Sequence, residues 1–530
     1  MIKIGSGEEK EVCGCGCQRC REEIDWLRSR EAELLAETRV LRACLAHGQR
    51  HQSERQGRCE QGLEGPARKQ EVGRGQRSGQ GGHGRRRYEH LPRQEEIVEP
   101  RPEELICGKC GAAYERLGED SSYQIDWLVK LMLKVWRRPR WRRSCKCRES
   151  KGIVQAPPPA KVIPKGLYTA GFIVRLLILK YALGMPCGRI IALLEMEGLP
   201  DVSAGSLSGM MRAAGKLLEP LAEAIREHNG QSVCLHVDET SWRVMVMVEG
   251  KTNHYWWLWV FLGPDSVSYV IRPTREAKVV AEHLGIELGN ARPELGQGSL
   301  VLSSDRYSVY DSLGQKMPEQ VVNAWCWAHV RRDFLGLKSS DGEFAEQWLE
   351  RIRRLYRAHW RERAALSEAE PSPPASEGEP NETIREVLGE MEREIKVGQS
   401  DPKLGPAAQK VLNSLEYYWE GLSLPYLLNP YLDLDNNAAE RSLRGQVVGR
   451  KNFYGSGSQW SANLAADCWT ILATCEMAGW DRQRYLLDYL EACSQAGGTA
   501  PPDLDRFLPW QASQQDRDRW ASRPCALNSS

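Results

Sequence analysis

The chain has 530 residues and a formal net charge of +1, with 41% hydrophobic and 27% charged residues. This is the composition of an ordinary globular protein with room for several domains, and so small a net charge neither supports nor excludes a nucleic-acid partner. The most apolar stretch, residues 171–187, is interrupted by Arg175 and Lys180 and is too short to cross a bilayer, which excludes a membrane-spanning protein.

The chain starts with MIKIGSGEEKEVCGCGC, which lacks the apolar core of a signal peptide. We therefore expect a cytoplasmic protein without a membrane partner, whose 17 cysteines are thiols or metal ligands. Residues 1–47 form a cysteine-rich start and a helical stretch whose Leu27, Leu34 and Leu41 are compatible with a short coiled coil. The first four cysteines, Cys13, Cys15, Cys17 and Cys20, could bind a metal, but their spacing does not identify the kind of site. Residues 48–101 have almost nothing to bury and are interpreted as a flexible linker.

Residues 102–150 contain two close pairs of cysteines separated by a basic stretch. Cys107 and Cys110 form the first pair, and Cys145 and Cys147 form the second. Four thiolates are the number that a closed structural Zn²⁺ site takes, so we predict zinc here. The second pair has one intervening residue where two are usual, and four incidental thiols are the alternative.

From Lys130 to Arg148 the chain has nine basic residues and no acidic residue, with Trp136 and Trp141 interleaved. Phosphate contacts from such a stripe would dominate the affinity for DNA, although a solvated charged face is the alternative. The basic residues are Lys130, Lys134, Arg137, Arg138, Arg140, Arg142, Arg143, Lys146 and Arg148.

Residues 160–230 are predicted to be helical, with a turn at GLPDVS between two helices that form either a helix-turn-helix or an ordinary hairpin. Three strand-like runs follow within residues 231–334, then a helix, a fourth strand, a short helix and a fifth strand that exits through VVNAWCWAHVRRDF, which predicts an α/β sheet. Residues 335–430 are helical in composition, residues 431–496 complete the ordered part, and residues 497–530 are predicted to be a loose tail.

Three acids stand out by their context. Asp238 lies inside the first strand, Asp305 ends the fourth strand, and Glu440 falls on the first turns of a helix. Carboxylates from two neighbouring strands and a packed helix would suit Mg²⁺, and two such ions can activate a nucleophile and neutralise a leaving oxygen at a phosphodiester. In the alternative interpretation, Asp238 and Asp305 only end or cap elements, and Asn437-x-x-Glu440 is a capping box.

Several blocks of the chain resemble the conserved blocks of the insertion-sequence-66 family of DDE transposases, in the same order and with comparable separations. They are HVDETSWRV, LSSDRYSVYDSL, AWCWAHVRRDF and LDNNAAERSLRGQVVGRKNFYGSGS, with further similarity in VIPKGLYTAGFIVRLLILKYALGMPCGRI and CGKCGAAYERLGED. The resemblance covers most of the chain between Cys107 and Leu490.

This resemblance implies an α/β fold with an RNase H-like catalytic core, in which Asp238, Asp305 and Glu440 are the catalytic, Mg²⁺- or Mn²⁺-binding acids. It also implies a helical insertion at 335–430, preceded in the chain by the zinc-binding segment and the helical DNA-binding region. The expected activity is cleavage of DNA at the element's ends and joining of the freed 3′-hydroxyl to a target.

The same resemblance assigns residues around the site. Cys326-x-x-His329 can be read as a metal pair, or as a buried thiol and a hydrogen-bonded histidine, which we prefer. In the family this block lies beside the active site, so Cys326, His329, Arg331 and Arg332 are expected to order the core or meet DNA. Further DNA contacts are expected from the helix that carries Glu440, at Arg441, Arg444, Arg450 and Lys451.

The expected partners are the element's DNA ends and the target, a second copy of the chain, and accessory transposition proteins. The expected location is the cytoplasm, in association with the nucleoid. Two alternatives stay open: a DNA-binding regulator that has the fold without the chemistry, and a metal-dependent nuclease that cuts but does not join.

Overall fold

The structure is a computed structural model that describes residues 131–142, 153–155, 157–246, 254–286, 300–317, 320–365, 382–429 and 431–522. The chain divides into two compact units, and all described residues from Leu133 onward belong to one of them. The predicted coiled coil and linker lie outside the described residues, as do the four cysteines of the predicted zinc site and, from the basic stripe, Lys130, Arg143, Lys146 and Arg148.

The described part of the basic stripe begins as an exposed segment without regular secondary structure. In this segment the Lys134 ammonium lies 4.6 Å from the centre of the Trp136 ring, and Trp136 itself is exposed. The stripe then enters strand β1 (Arg140–Arg142), which pairs antiparallel with β2 (Ile153–Gln155). Arg140 and Arg142 therefore belong to the same strand of a two-stranded ribbon.

Five further strands form a mixed sheet with the spatial order β5-β4-β3-β6-β7. The three-strand meander and the parallel pair match the strand order expected from the sequence. Antiparallel pairing joins β3 to β4 and β4 to β5, whereas β3, β6 and β7 run parallel to one another. The strands are β3 (Cys234–Arg243), β4 (Tyr255–Leu262), β5 (Val267–Arg272), β6 (Leu300–Ser304) and β7 (Val321–Trp325).

Fourteen α-helices are described. Before and between the strands they are α1 (Ala170–Leu177, continued by a π-helical turn, Ile178–Ala182), α2 (Cys187–Met196), α3 (Ala204–Gly230), α4 (Ala277–His283) and α5 (Ser308–Lys316). After the sheet they are α6 (Trp327–Gly336), α7 (Gly342–Ala365), α8 (Ile384–Gln399), α9 (Pro406–Tyr417), α10 (Trp419–Leu428), α11 (Asn437–Phe453), α12 (Gln459–Met477), α13 (Arg482–Gln495) and α14 (Gln514–Trp520). The sequence VVNAWCWAHVRRDF, interpreted as a strand with its exit, is β7 for its first five residues and α6 from Trp327.

Helices cover both faces of the sheet. Successive side chains of a strand point to opposite faces, so each strand contributes to both layers of the core. On one face, Leu235 and Val237 join a large core with the helices of the 335–430 region. On the other face, Trp242 packs with Leu443 of α11 and Trp469 of α12. We call these the insertion face and the α11 face.

Helices also cover both outer edges of the sheet. At β5 the amide groups of Val267 and Tyr269 donate to the hydroxyls of Thr474 and Thr470 on α12, at 3.0 and 2.9 Å. At β7, α10 packs so closely at Gly421 that a Cβ there would lie 2.4 Å from the Trp325 indole nitrogen. The unpaired backbone groups of an edge strand are thus shielded.

The helical region at 160–230 packs directly on the core. The Trp469 indole of α12 donates to the Tyr181 carbonyl at 3.1 Å, and the Arg226 guanidinium of α3 pairs with the buried Asp467. The two helices on either side of GLPDVS are α2 and α3, as predicted. The choice between a helix-turn-helix and a helical hairpin stays a prediction.

The prediction of a loose tail from residue 497 is wrong as far as residue 522. Phe507 and Trp520 are fully buried and stack at 5.6 Å between ring centres, and the Trp520 indole donates to Asp488 at 2.8 Å. Two aromatic side chains give this polar stretch enough apolar surface to pack on α13. Across the described ranges, no helix is long and apolar enough to span a membrane.

Candidate active site

Asp238 and Asp305 lie side by side on the α11 face of the sheet. The parallel register of β3 and β6 pairs His236 with Ser303, a separation of 67 positions, and Asp305 follows Asp238 by the same 67 positions. Extending the register by two residues therefore brings the two aspartates opposite each other, on the same face as His236 and Ser303. Asp305 also accepts a hydrogen bond from the Tyr307 amide at 3.1 Å, which orders the turn after β6.

Glu440 reaches this face because the segment before α11 is anchored to the middle of β3 and, through Cys326, to the carboxyl ends of β6 and β7. The buried Asn436 donates from its side-chain amide to the Val237 carbonyl of β3 at 2.7 Å. Its backbone amide donates to the Cys326 thiol at 3.1 Å, and the Cys326 amide in turn donates to the Ser304 carbonyl at 3.1 Å. The first turn of α11 is thus placed beside the middle of β3 and the carboxyl ends of β6 and β7.

The capping-box interpretation of Glu440 is wrong. The N-cap residue of α11 is Asn436, not Asn437, and it makes no side-chain capping bond. The Asn437 amide is instead satisfied by the Asp435 carboxylate at 3.1 Å. The carboxylate of Glu440 is therefore not needed to start the helix.

Glu440 faces two side chains of α6. The Arg332 guanidinium donates to both of its carboxylate oxygens, at 2.9 and 3.3 Å, and the His329 Nε2 atom lies 3.8 Å away. Arg332 also donates to that Nε2 atom at 3.1 Å. Burial and next the Arg332 cation lower the pKa of His329, which suits a neutral ring that accepts this hydrogen bond.

Besides burial, the carboxylates of Asp305 and Glu440 contribute to the raised pKa of Asp238. Burial, the neighbouring Glu239 carboxylate and then Asp305 and Glu440 raise the pKa of Asp238 to about 7, against a lowering by the Glu239 amide, which donates to it at 2.9 Å. Within the described ranges this amide is the one hydrogen-bond donor to Asp238. A half-buried carboxylate among like charges is stabilised best by a cation.

Glu239, which the sequence analysis did not single out, lies on the insertion face. Its side chain is 1% exposed, accepts from Arg275 at 2.6 Å and accepts from the Tyr310 hydroxyl. Arg275 stacks on the Tyr307 ring with its guanidinium carbon 3.7 Å from the ring centre. Because side chains alternate along a strand, the residue after Asp238 has to point to the opposite face of the sheet. The adjacent acids in VDET therefore already indicated that Glu239 would be buried on that face and would need a cation there.

The Cys326-x-x-His329 block is a buried thiol followed by a hydrogen-bonded histidine, as preferred from the sequence. Cys326 is fully buried, and burial raises the pKa of its thiol to about 11. A thiol that stays protonated is a poor metal ligand, because the thiolate is the form that binds metals. Cys326 therefore orders the core by accepting the hydrogen bond from Asn436.

As the side chains stand, no three His, Cys, Asp or Glu residues among the described residues are grouped tightly enough to hold a metal ion. The donors that divalent magnesium or manganese prefers are nevertheless present, since three carboxylates converge on one face and Asp238 has no counter-charge from any residue that the structure describes. The nearby acids Asp433 and Asp435 have structural contacts instead. Arg363 donates to Asp433 at 2.6 Å, and the Tyr356 hydroxyl donates to Asp435 at 3.2 Å.

The predicted DNA-binding residues of α11 differ in their surroundings. Arg444 and Lys451 are exposed, and Arg441 is half-buried one residue beyond Glu440. Arg450 instead donates to the hydroxyls of Thr240 and Ser241 at 3.2 and 3.0 Å, and so ties α11 to β3. This structural contact was not foreseen from the sequence.

Comparison with known proteins finds similarity over more than half of the chain. A family model described as "Transposase IS66 family" matches residues 165–464, which include all three acids. The uncharacterized protein y4qI of Sinorhizobium fredii is 29% identical over 440 residues, which cover 79% of this chain and 76% of that protein. The uncharacterized protein y4jD of the same organism is 26% identical over 440 residues, which cover 79% of this chain and 80% of that protein.

Proposed function

Because the chain belongs to the IS66 family of transposases, we propose that it is a DNA transposase whose catalytic acids are Asp238, Asp305 and Glu440. The observation that carries the proposal is the convergence of these carboxylates from two strands and a helix. Burial and the carboxylates around it raise the pKa of Asp238 to about 7, and across the described ranges Asp238 has no counter-charge. A carboxylate set of this kind favours a bound divalent cation over a purely structural role.

The fold supports the same proposal. Three antiparallel strands followed by two parallel strands, with the first strand in the middle, is the arrangement expected of an RNase H-like core. The first acid lies in β3, the second directly follows β6, and the third comes from a helix on the same face. The helices α7 to α10, placed between Asp305 and Glu440 in the chain, correspond to the proposed insertion.

Asp238, Asp305 and Glu440 are the residues that would hold Mg²⁺ or Mn²⁺. When bound, such ions lower the pKa of an attacking water or 3′-hydroxyl and neutralise the leaving oxygen of a phosphodiester. The protein's own contribution is to fix the three carboxylates. Asn436 sets the start of α11, and the Tyr307 amide holds Asp305.

DNA would be held by basic side chains in two places. Near the acids, Arg441, Arg444 and Lys451 of α11 can contact phosphates on either side of the reacting one. The stripe from Lys130 to Arg148 would add contacts that are independent of sequence, next to a zinc ion held by Cys107, Cys110, Cys145 and Cys147. Two DNA ends have to be brought together, so the active form would be an oligomer of this chain, acting with accessory transposition proteins.

The test is a strand-transfer assay with the element's own ends and excess Mg²⁺. Glu440→Gln, which keeps the shape of the side chain and loses its charge, should fold, melt near the parent temperature and bind the ends, yet neither cut nor join them. Asp238→Asn and Asp305→Asn should behave alike, because losing any ligand disables a shared site. Glu420→Gln, on the insertion, is the matched control and should react normally.

The outcomes separate the proposal from its two rivals. Near-parental transfer by Glu440→Gln would overturn the assignment of the third acid. Cutting without joining by the parent chain would identify a metal-dependent nuclease. Binding of the ends without either reaction, in the parent and all three variants, would identify a DNA-binding regulator.

A further inference from the structure

The Glu440 carboxylate is engaged by Arg332 in the free protein. One terminal nitrogen of the guanidinium contacts both carboxylate oxygens, and the other donates to His329. The side chain of Arg332 is 53% exposed, whereas that of Glu440 is 29% exposed. The arginine therefore approaches the acid from the solvent side, where DNA would have to arrive.

The ion pair turns both oxygens of the Glu440 carboxylate toward a cation of the protein. Among the described residues, no three His, Cys, Asp or Glu residues form a group that could hold a metal ion. A divalent ion that recruits Glu440 has to displace a positive charge already in place.

We infer that Arg332 exchanges partners: it holds Glu440 in the free protein and binds a backbone phosphate when DNA is present, which releases Glu440 toward Asp238 and Asp305. The inference rests on the proposed function. It adds that DNA binding completes the acidic site, because the phosphate draws Arg332 of α6 away from Glu440.

The chemistry of the pair favours such an exchange. Arginine matches the geometry of phosphate as well as that of carboxylate and keeps its charge at any relevant pH. An ion pair this exposed is weak, so a phosphate can replace the carboxylate at small cost. His329, anchored beside it on α6, keeps the guanidinium near the site after the carboxylate has left.

The matched control is Arg331, which precedes Arg332 on the same helix. It is also exposed, and the described hydrogen bonds and ion pairs of the Glu440 carboxylate are with Arg332 and His329 rather than with Arg331. Arg331→Gln and Arg332→Gln remove the same charge from the same helix, so a general loss of positive potential would affect both variants equally. The loss of the contacts with Glu440 and His329 distinguishes them.

The first experiment titrates the full-length protein with Mn²⁺ in the absence of DNA and follows free Mn²⁺ by electron paramagnetic resonance. Arg332→Gln should bind Mn²⁺ more tightly than Arg331→Gln by roughly two- to fivefold, the value of a weak surface ion pair. A gain in affinity is not what a damaged fold produces. Equal or weaker binding by Arg332→Gln would overturn the inference.

Asp238→Asn separates failure of this inference from failure of the proposed function. If Asp238→Asn abolishes Mn²⁺ binding and Arg332→Gln does not tighten it, the metal site stands and the exchange is wrong. If Asp238→Asn leaves Mn²⁺ binding intact, the proposed metal site itself is wrong, and the exchange fails with it.

The second experiment measures DNA binding at several salt concentrations without divalent ions, using a duplex that carries one end of the element. Arg332→Gln should reduce the slope of log affinity against log salt by about one unit, the loss of one phosphate contact. An unchanged slope would show that Arg332 does not reach the DNA and would overturn the exchange. Circular dichroism melting of each variant confirms that the folded protein is being compared.

Discussion

Asp238 and Glu239 are neighbours on β3, but they lie in different environments on opposite faces of the sheet. On the insertion face, Arg275 and the Tyr310 hydroxyl contact Glu239 and oppose the effect of its burial on its pKa. On the α11 face, Asp238 accepts a backbone hydrogen bond from Glu239 and is surrounded by further carboxylates. Both acids are costly to bury, but the protein neutralises only one of them.

The difference distinguishes a structural acid, whose charge is neutralised by a side chain of the protein, from an acid that would bind an external cation. Glu239 links β3, α5 and the turn after β5, and its cation belongs to the fold. Asp238 adds no comparable contact, and its charge opposes folding at neutral pH. Replacing Asp238 should therefore abolish activity without lowering stability, whereas replacing Glu239 should lower stability and affect activity less.

The largest expected effect is on the activity of Asp238→Asn. Strand transfer should fall by about a thousandfold or more, since a neutral amide cannot replace a carboxylate that holds a metal ion. The melting temperature should stay the same or rise, because an unfavourable charge has been removed. A parental rate of strand transfer by Asp238→Asn, measured with the element's ends in excess Mg²⁺, would contradict the proposal that Asp238 is needed for activity.

The next effect is a dependence of stability on pH that belongs to Asp238. Because folding raises the pKa of Asp238 from about 4 to about 7, the folded state binds the proton more tightly. This contribution to stability is fully present below pH 4 and is lost as the pH rises through 7. Relative to the parent, Asp238→Asn should gain on the order of 2 kcal/mol between pH 5 and pH 8.

Urea unfolding of both proteins, with a chelator present, measures this difference. Adding Mg²⁺ at pH 8 should stabilise the parent and leave Asp238→Asn unchanged, because only the parent keeps the charge that a cation would neutralise. A parallel pH dependence in the two proteins would contradict the raised pKa.

A smaller effect is expected on the stability of Glu239→Gln. Arg275 would lose its ion-pair partner while partly buried, at a cost of about 1–2 kcal/mol after allowing for its contact with solvent. Transfer measured well below the melting point should fall by less than about tenfold, since the side chain points away from the three acids. If the folded variant were as inactive as Asp238→Asn, the two faces would not differ in function.

The smallest effect distinguishes two cations of α11. Arg450→Gln should lower the free energy of unfolding by about 1 kcal/mol, because the contacts with Thr240 and Ser241 are lost. Lys451→Gln should leave stability unchanged and reduce the salt dependence of DNA binding by about one unit of slope. Chemical unfolding and binding titrations on both variants check this, and a loss of stability in Lys451→Gln would contradict the assignment.

The strands could be predicted from the sequence, because the composition and alternation of their side chains carry that information. That Asp238 and Asp305 belong to one site was implied by the family resemblance, and their placement side by side follows from the register of β3 and β6. The contacts of Glu440 could not be predicted from the sequence. Arg332 precedes it by 108 positions, and the helix begins one residue away from where the capping pattern Asn437-x-x-Glu440 requires. The burial of Phe507 and Trp520 was also missed, because two isolated aromatic residues in a polar stretch do not form a periodic pattern.

The closed edges of the sheet have a consequence for molecules crowded onto one DNA. Copies held close together reach high local concentrations, and an open β-strand would then be a template for uncontrolled strand exchange and fibre growth. In this protein the threonine hydroxyls of α12 already occupy the outward amides of Val267 and Tyr269. Copies that meet on DNA would therefore not join through the edges of this five-stranded sheet.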